Sequence, residues 1–305
     1  MAPPPPGLIG IADNPLRGIA YALLGIILYS FLDGTAKWLV AIAPILQIVA
    51  IRSVFVLLAL APAVWRGGGP RRALATARPW AHAARIGASF AALLMFFESL
   101  RHLPLATCIA IGFAAPLFMT AASVVLLRER VGPHRWTAVC VGFIGVLIIA
   151  RPDGGGLSSW PALLAIAASL FFALSQITVR WLAATETDLR ILFSQNLGLL
   201  VLSGVTLPFV WQPLPWLTLA GIALMAGFLI LGQLFTVKAF RAAPVAVVAP
   251  FQYTELIWAT LIGAALGDPW PDSHVWAGAA VVVASGLYMI WRETRGRTVA
   301  ALAPP

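Results

Sequence analysis

Six ionisable side chains stand inside stretches of sequence that are otherwise almost free of charge: Asp33, Lys37, Arg52, Arg85, Glu98 and Glu255. Asp33 and Lys37 are four residues apart and share a helical face with Tyr29, so an ion pair along that face is open to them. The pair either anchors its own helix or offers a bound molecule both a carboxylate and an ammonium. Arg52 sits among Ile, Val and Leu; it either pairs with Asp33 or Glu98 and locks helices together, or docks a carboxylate. Arg85 and Glu98 fall within two turns of the ends of their stretch, close enough to snorkel outward, and are read as structural.

Glu255 is the sharpest of the six. It lies midway between Pro244 and Leu266 with no basic residue in that stretch. Gln252, Glu255 and Trp258 fall on one helical face, with Tyr253 and Thr254 adjoining. A polar, aromatic stripe of this kind suits a cavity for a small molecule that is partly aromatic and partly charged. The alternative is a neutral carboxyl hydrogen-bonded to a neighbouring helix. Gln233 stands at similar depth, as do Ser175, Gln176, Thr178, Gln195, Asn196 and Thr236. The candidate binding set is therefore Asp33, Lys37, Arg52, Gln233, Gln252, Tyr253, Glu255 and Trp258.

What must hold these residues is set by composition. Of 305 residues, 61% are apolar and 10% charged; a soluble domain carries about a quarter charged residues. The apolar residues arrive in long blocks, and roughly 20 of them make one membrane-spanning helix. Between Pro, Gly and charge clusters ten blocks are predicted as helices: 17–40, 45–65, 80–100, 104–127, 135–150, 160–182, 189–210, 216–240, 244–266 and 274–291. Pro116 and Pro250 fall inside the fourth and ninth, where each removes a backbone donor and invites a hinge or unwound segment. The fold class is all-α integral membrane. Residues 1–16 and 293–305 read as tails and 151–158 as a linker. The polyproline start lacks the basic, short apolar pattern of a signal peptide, so the first helix is expected to stay in the mature protein.

Basic residues orient the chain. With the N-terminus inside, Arg17, the Arg66–Arg78 loop, Arg128, Arg130, Arg135, Arg180, Arg190, Lys238, Arg241 and the last three Arg all fall on the inner side, against Lys37, Arg101 and Arg151 outside. Basic loops stay cytoplasmic, so both termini are expected there. Loops of this kind facing anionic lipid account for the net charge of +9, and no nucleic-acid partner is expected. All Trp but Trp258 fall near block ends, the interfacial depth that indole rings prefer.

A repeat is visible. An offset of 140 lays Gly87–Arg151 on Gly227–Trp291, bringing Arg101-x-x-Pro104 onto Arg241-x-x-Pro244 and His134-x-Trp136 onto His274-x-Trp276. Upstream, an offset of 143 brings Lys37-Trp38-Leu39 onto Arg180-Trp181-Leu182. Two halves of five helices, 17–150 and 159–292, would insert in opposite senses, as inverted repeats of secondary transporters do, with substrate bound at their interface. Arg52 falls on Gln195, so a strictly symmetric site is not expected.

Two runs carry a resemblance: Lys37-Trp38, Pro44, Gln47 and Arg52-Ser53, then Leu100-Arg101-His102-Leu103-Pro104, Ala115-Pro116-Leu117-Phe118, Leu127-Arg128-Glu129-Arg130-Val131 and Val141-Gly142-Phe143-Ile144-Gly145-Val146. Together they resemble the drug/metabolite transporter superfamily, EamA type, over nearly the whole chain. The resemblance implies carriage of a small metabolite across a bacterial cytoplasmic membrane, and its analogy with exporters of aromatic and other amino acids implies export.

Other classes are weakened by what is missing. There is no phosphate-binding Gly-x4-Gly-Lys-Ser/Thr loop. The four His are scattered with no metal-ligand spacing, so neither metal nor cofactor is expected. Cys108 and Cys140 read as packing residues. A membrane hydrolase would need a convergent nucleophile and base, and none stands out. The expected protein is a monomeric secondary transporter; a channel, a lipid scramblase and a polytopic membrane enzyme are the alternatives.

Overall fold

The computed structural model describes residues 14–128, 132–150, 160–183 and 185–302. The Pro-rich start, Glu129-Arg130-Val131 and the 151–158 linker lie outside them. Among the described residues the chain is all helix, with no strand. In order the helices are α1 (Pro15–Val40), α2 (Ile45–Arg66), α3 (Pro70–Leu74), α4 (Pro79–His102), α5 (Leu105–Gly112), α6 (Ala115–Leu126) and α7 (Pro133–Ile149). There follow α8 (Trp160–Ala183), α9 (Asp188–Gly204), α10 (Leu207–Val210), α11 (Trp216–Ala242), α12 (Val245–Val248), a 3-10 turn (Ala249–Thr254), α13 (Glu255–Ala265) and α14 (Ser273–Leu302). Among the described residues, seven helical stretches are long and apolar enough to cross a membrane. Large side chains such as Leu58, Val125, Phe209 and Leu224 stand exposed on the outside of the bundle, as lipid-facing helices require, because their own hydrogen bonds satisfy every backbone group between the ends.

Proline and glycine set the departures from uniform helix. The fourth predicted block is broken at Phe113–Ala114, just before Pro116. The ninth loses its α-helical pattern through Ala249–Thr254, where Pro250 cannot donate to the turn behind it. The seventh gives way after Gly204 and resumes as α10 at Leu207-Pro208. The tenth was expected to end at Trp291 but its backbone stays helical to Leu302, since no proline intervenes before Pro304.

Small residues let the helices meet closely. Gly18, Gly25 and Gly34 of α1 face Ala243 just past α11, Thr236 of α11 and Ile262 of α13. Gly145 of α7 and Gly278 of α14 bring their backbones together so tightly that a Cβ on either would strike the other's carbonyl. The main core joins Leu32, Leu39, Ile48, Phe97, Leu105, Leu199 and Met225 from six helices. A second gathers Ile111, Val146, Ile149, Leu256 and Val282.

Candidate functional site

One end of the bundle is sealed by an ion pair that the sequence reading did not anticipate. Gly267 ends α13 in the left-handed region (φ 92°), a conformation glycine adopts without strain. The turn sends the Asp268 N–H back to the Gly263 carbonyl at 2.8 Å, the geometry of a helix C-cap. Asp268 then folds over Gly263, where a side chain would crowd its Oδ2. From there Oδ1 lies 2.9 Å from Lys37 Nζ, and Oδ2 accepts the Leu105 N–H at the start of α5 at 2.8 Å. Lys37 also donates to the carbonyls of Leu103 at 2.8 Å and Leu100 at 3.3 Å. Lys37 therefore does not pair with Asp33 along its own helix; the acceptors that α4, the residue capping it and the α13–α14 turn present to it outnumber what one carboxylate offers. At the same end Gln47 exchanges hydrogen bonds with the Gln212 backbone, and Arg101 donates to the carbonyls of Val40 and Ala43.

Deeper in the bundle the candidate residues fall into two groups. Glu255 is the first residue of α13, directly after the 3-10 turn, and α13 packs along α1, the helix that carries Asp33. Tyr29 stands one turn from Asp33 on α1. Its hydroxyl donates to Gln233 Oε1 on α11 at 2.9 Å, beside Thr236. Tyr253 of the 3-10 turn stacks edge to face on Phe113, with centroids 5.2 Å apart, and its ring lies against Gly286 of α14. Trp258 is half-buried one turn along α13, while Gln252 is exposed. The structure thus joins Tyr29 to Gln233 and Tyr253 to Phe113, and leaves Lys37 in the seal.

Arg52 stands apart. It is 4% exposed, and its Nε has no hydrogen-bond partner among the described residues. Neither Asp33 nor Glu98 pairs with it; Glu98 is taken by Arg101 at 3.0 Å and His102 at 3.3 Å. Arg85 does not snorkel either. It is 8% exposed and donates to the Ser175 carbonyl at 3.0 Å, because α8 packs along that face of α4. Cys108 is buried, but Cys140 faces outward, so only the first is a packing residue of the interior.

The other end of the bundle holds a pocket. A cavity of about 200 Å³ lies between α6, α8 and α14. Thr120, Gln176, Arg180 and Met289 help to line it. Beside it the loops are tied: Glu186 accepts from Thr76 Oγ1 at 2.7 Å, the Ala77 N–H at 3.3 Å and Arg190 Nη1 at 3.2 Å. Burial works to raise the Glu186 carboxyl, but the hydrogen bonds from Thr76, Arg190 and Ala77 outweigh it and hold the group below its ordinary value of 4.5. Arg78 donates to the Trp181 carbonyl at 2.6 Å, and Trp80 packs on Trp181.

Sequence reasoning missed Asp268, Phe113, Thr120 and Glu186. Asp268 and Glu186 sit in loops, where charge is unremarkable; the signal for the first was the Gly267 before it. Among the described residues no group of three or more His, Cys, Asp or Glu could hold a metal ion.

Comparison with known proteins follows the same outline. The pattern of the EamA-like transporter family matches residues 16–151. A riboflavin transporter of Rhizobium johnstonii is 30% identical over 231 residues, covering 73% of this chain and 74% of its own. An S-adenosylmethionine uptake transporter of Rickettsia prowazekii is 28% identical over 286 residues, covering 92% of this chain and 94% of its own. One crystal structure, 18% identical, superposes with a TM-score of 0.62 over 91% of this chain and 98% of that one, a likeness of fold.

Proposed function

We propose a function from one premise: this chain belongs to the EamA-like transporter family, the EamA type of the drug/metabolite transporter superfamily. It is a multi-pass membrane protein whose relatives are named as transporters of small metabolites. The proposed activity is secondary transport by alternating access, with ten crossings in two inverted halves, 17–150 and 159–292.

The observation that carries this reading is a difference between matching positions. Arg180 lines the cavity, whereas its counterpart at an offset of 143, Lys37, is committed to Asp268 at the closed end. Thr120 opens onto the cavity, while its counterpart Thr260 is 4% exposed. Equivalent elements that are open at one end and closed at the other are what a carrier caught in one of its two states presents. Contacts that exchange under the offset support the inverted arrangement. Gly142 meets Ser285 and Gly145 meets Val282; adding 140 to the first member of each pair gives the second member of the other. Likewise α1 packs on α11 as α4 packs on α8.

The proposed substrate is a small metabolite bearing an amino-acid group. Amino-acid exporters are the analogy that the sequence offers, and S-adenosylmethionine, named for one relative, carries such a group. Asp33, Gln233, Gln252, Tyr253, Glu255, Trp258 and Arg52 are proposed to line its path, with Lys37 closing it. The fold permits either direction, and the gradient across the bacterial cytoplasmic membrane selects it. Both termini are proposed to be cytoplasmic; an impermeant thiol reagent added outside should then label Asp272→Cys and spare Gly68→Cys.

Counterflow in proteoliposomes, with labelled phenylalanine, S-adenosylmethionine and riboflavin, tests the function. Saturable, trans-stimulated exchange of one or more is expected. Flux that rises without saturation would point to a channel or scramblase, and chemical conversion of the label to an enzyme.

A further inference from the structure

We propose, resting on the transport reading above, that the cavity between α6, α8 and α14 seats the carboxylate of a small substrate, with Arg180 and Arg135 holding its charge. Both charged side chains that line the cavity among the described residues are arginines, Arg180 in the last turn of α8 and Arg135 in the first turn of α7. No Asp or Glu lines it there. Glu186, the acid six residues beyond Arg180, is engaged elsewhere, by Thr76, the Ala77 N–H and Arg190.

The rest of the wall is of two kinds. Met119, Ile177 and Met289 are apolar, and methionine side chains adapt to varied shapes. Thr120 and Ser123 are polar, but their hydroxyls donate to the backbone carbonyls of Pro116 at 3.0 Å and Thr120 at 2.9 Å. The donors that an anion meets are therefore the two guanidinium groups and the Gln176 amide. A guanidinium carries five N–H donors in a planar fork that matches a carboxylate, enough to hold a neighbour in the protein and a ligand together. The volume, about 200 Å³, lies below the roughly 300–1,000 Å³ of drug-sized ligand sites. The fit is to a small organic acid with an apolar body. The repeat supplies a precedent for the contact. At the matching position Lys37 holds the Asp268 carboxylate at 2.9 Å; Arg180 stands where it can hold one that arrives with the substrate.

Thr120→Cys, in full-length protein carrying Cys108→Ala and Cys140→Ala, sets a thiol on the cavity wall. In nanodiscs of neutral phosphatidylcholine, its rates with a sulfonate-bearing and a trimethylammonium-bearing methanethiosulfonate are each divided by the rate with a free thiol. A cleft lined by one sign of charge raises the local concentration of the opposite sign by about 10–1,000-fold at low salt, so the anionic reagent should lead by about tenfold or more. Arg180→Gln and Arg135→Gln should each cut that lead several-fold, and Arg180→Lys should keep most of it. 3-Phenylpropanoate should slow the reaction saturably, and its neutral isostere 3-phenylpropanamide should not. Equal relative rates, an undiminished lead in Arg180→Gln, or equal protection by acid and amide overturns the proposal. So does a thiol that added phosphatidylglycerol protects while 3-phenylpropanoate does not, which would make the occupant a lipid headgroup. If riboflavin counterflow proceeds in a protein whose cavity shows no preference for the anionic reagent, the seat falls and the transport reading stands. Protection by the acid alone, in a protein that moves no solute, supports the seat and defeats the transport reading instead.

Discussion

Phe113 and Tyr253 meet edge to face, their ring centroids 5.2 Å apart and their planes at 80°, although 140 residues separate them. Each sits at a break in helix, Phe113 between α5 and α6 and Tyr253 in the 3-10 turn before α13. Each is also the other's counterpart under the repeat. Gly286 makes the contact possible, since any side chain there would overlap the Tyr253 hydroxyl. Gly286→Val should push Tyr253 off Phe113 and lower stability by about 1–3 kcal/mol, the usual cost of overpacking. Thermal melts in detergent read it; a variant that melts and transports like wild type would show that this contact carries no weight.

Lys37 and Asp268 are each about 15% exposed along the side chain, 16% and 14%. Lys37→Ala should cost about 3 kcal/mol, because it strands a mostly buried carboxylate. Exchanging the two residues, Lys37→Asp with Asp268→Lys, should recover only part, since a lysine cannot accept the Leu105 N–H that Asp268 now holds. Full recovery in chemical-denaturation curves would mean that charge alone makes the seal.

Glu186 predicts a pH dependence. Its folded carboxyl is held below the ordinary value by its hydrogen bonds, so the stability it adds is present above about pH 4.5 and is lost as pH falls through the lowered folded value. Glu186→Gln should melt lower than wild type at pH 7, by an amount equivalent to about 1.5–3 kcal/mol for hydrogen bonds to a charged group. The gap should be constant from pH 6 to 8 and close in strong acid. A gap that widened on acidification would reverse the assignment.

Thr120 and Thr260 make a matched pair for chemistry. In a background with Cys108 and Cys140 replaced, Thr120→Cys should react quickly with a small water-soluble thiol reagent and Thr260→Cys slowly, by at least tenfold. Breaking the seal with Asp268→Asn should narrow that ratio by speeding Thr260→Cys. Equal rates in the parent background would remove the asymmetry on which alternating access rests.

The helices were legible because apolar length and charge punctuation are properties of the chain itself. Even the interruptions announced themselves through Pro116 and Pro250. Partners were not legible. Lys37 had a carboxylate four residues away on its own face, yet it took one from a loop more than two hundred residues on, since only the tertiary fold decides which acceptors reach an ammonium. Arg85 lay near a helix end and was expected to extend outward; α8 covers that end and supplies a backbone carbonyl instead. Tyr253 was singled out from the sequence, but no spacing could tell that it would pack on Phe113.

The isolated Arg52 bears on how the chain is made. Its helix, α2, has a mean hydropathy of 2.2, the highest of the seven candidate spans. Twelve Ile, Leu, Val and Phe residues between Ile45 and Val64, at about 0.3–0.6 kcal/mol each on insertion scales, outweigh the roughly 2.5–3.5 kcal/mol that a central arginine costs. The translocon can therefore release this segment into lipid on its own, before any later helix has emerged from the ribosome. Biogenesis then needs no counter-ion for Arg52, and the guanidinium is carried into the finished bundle by the greasiness of its neighbours alone.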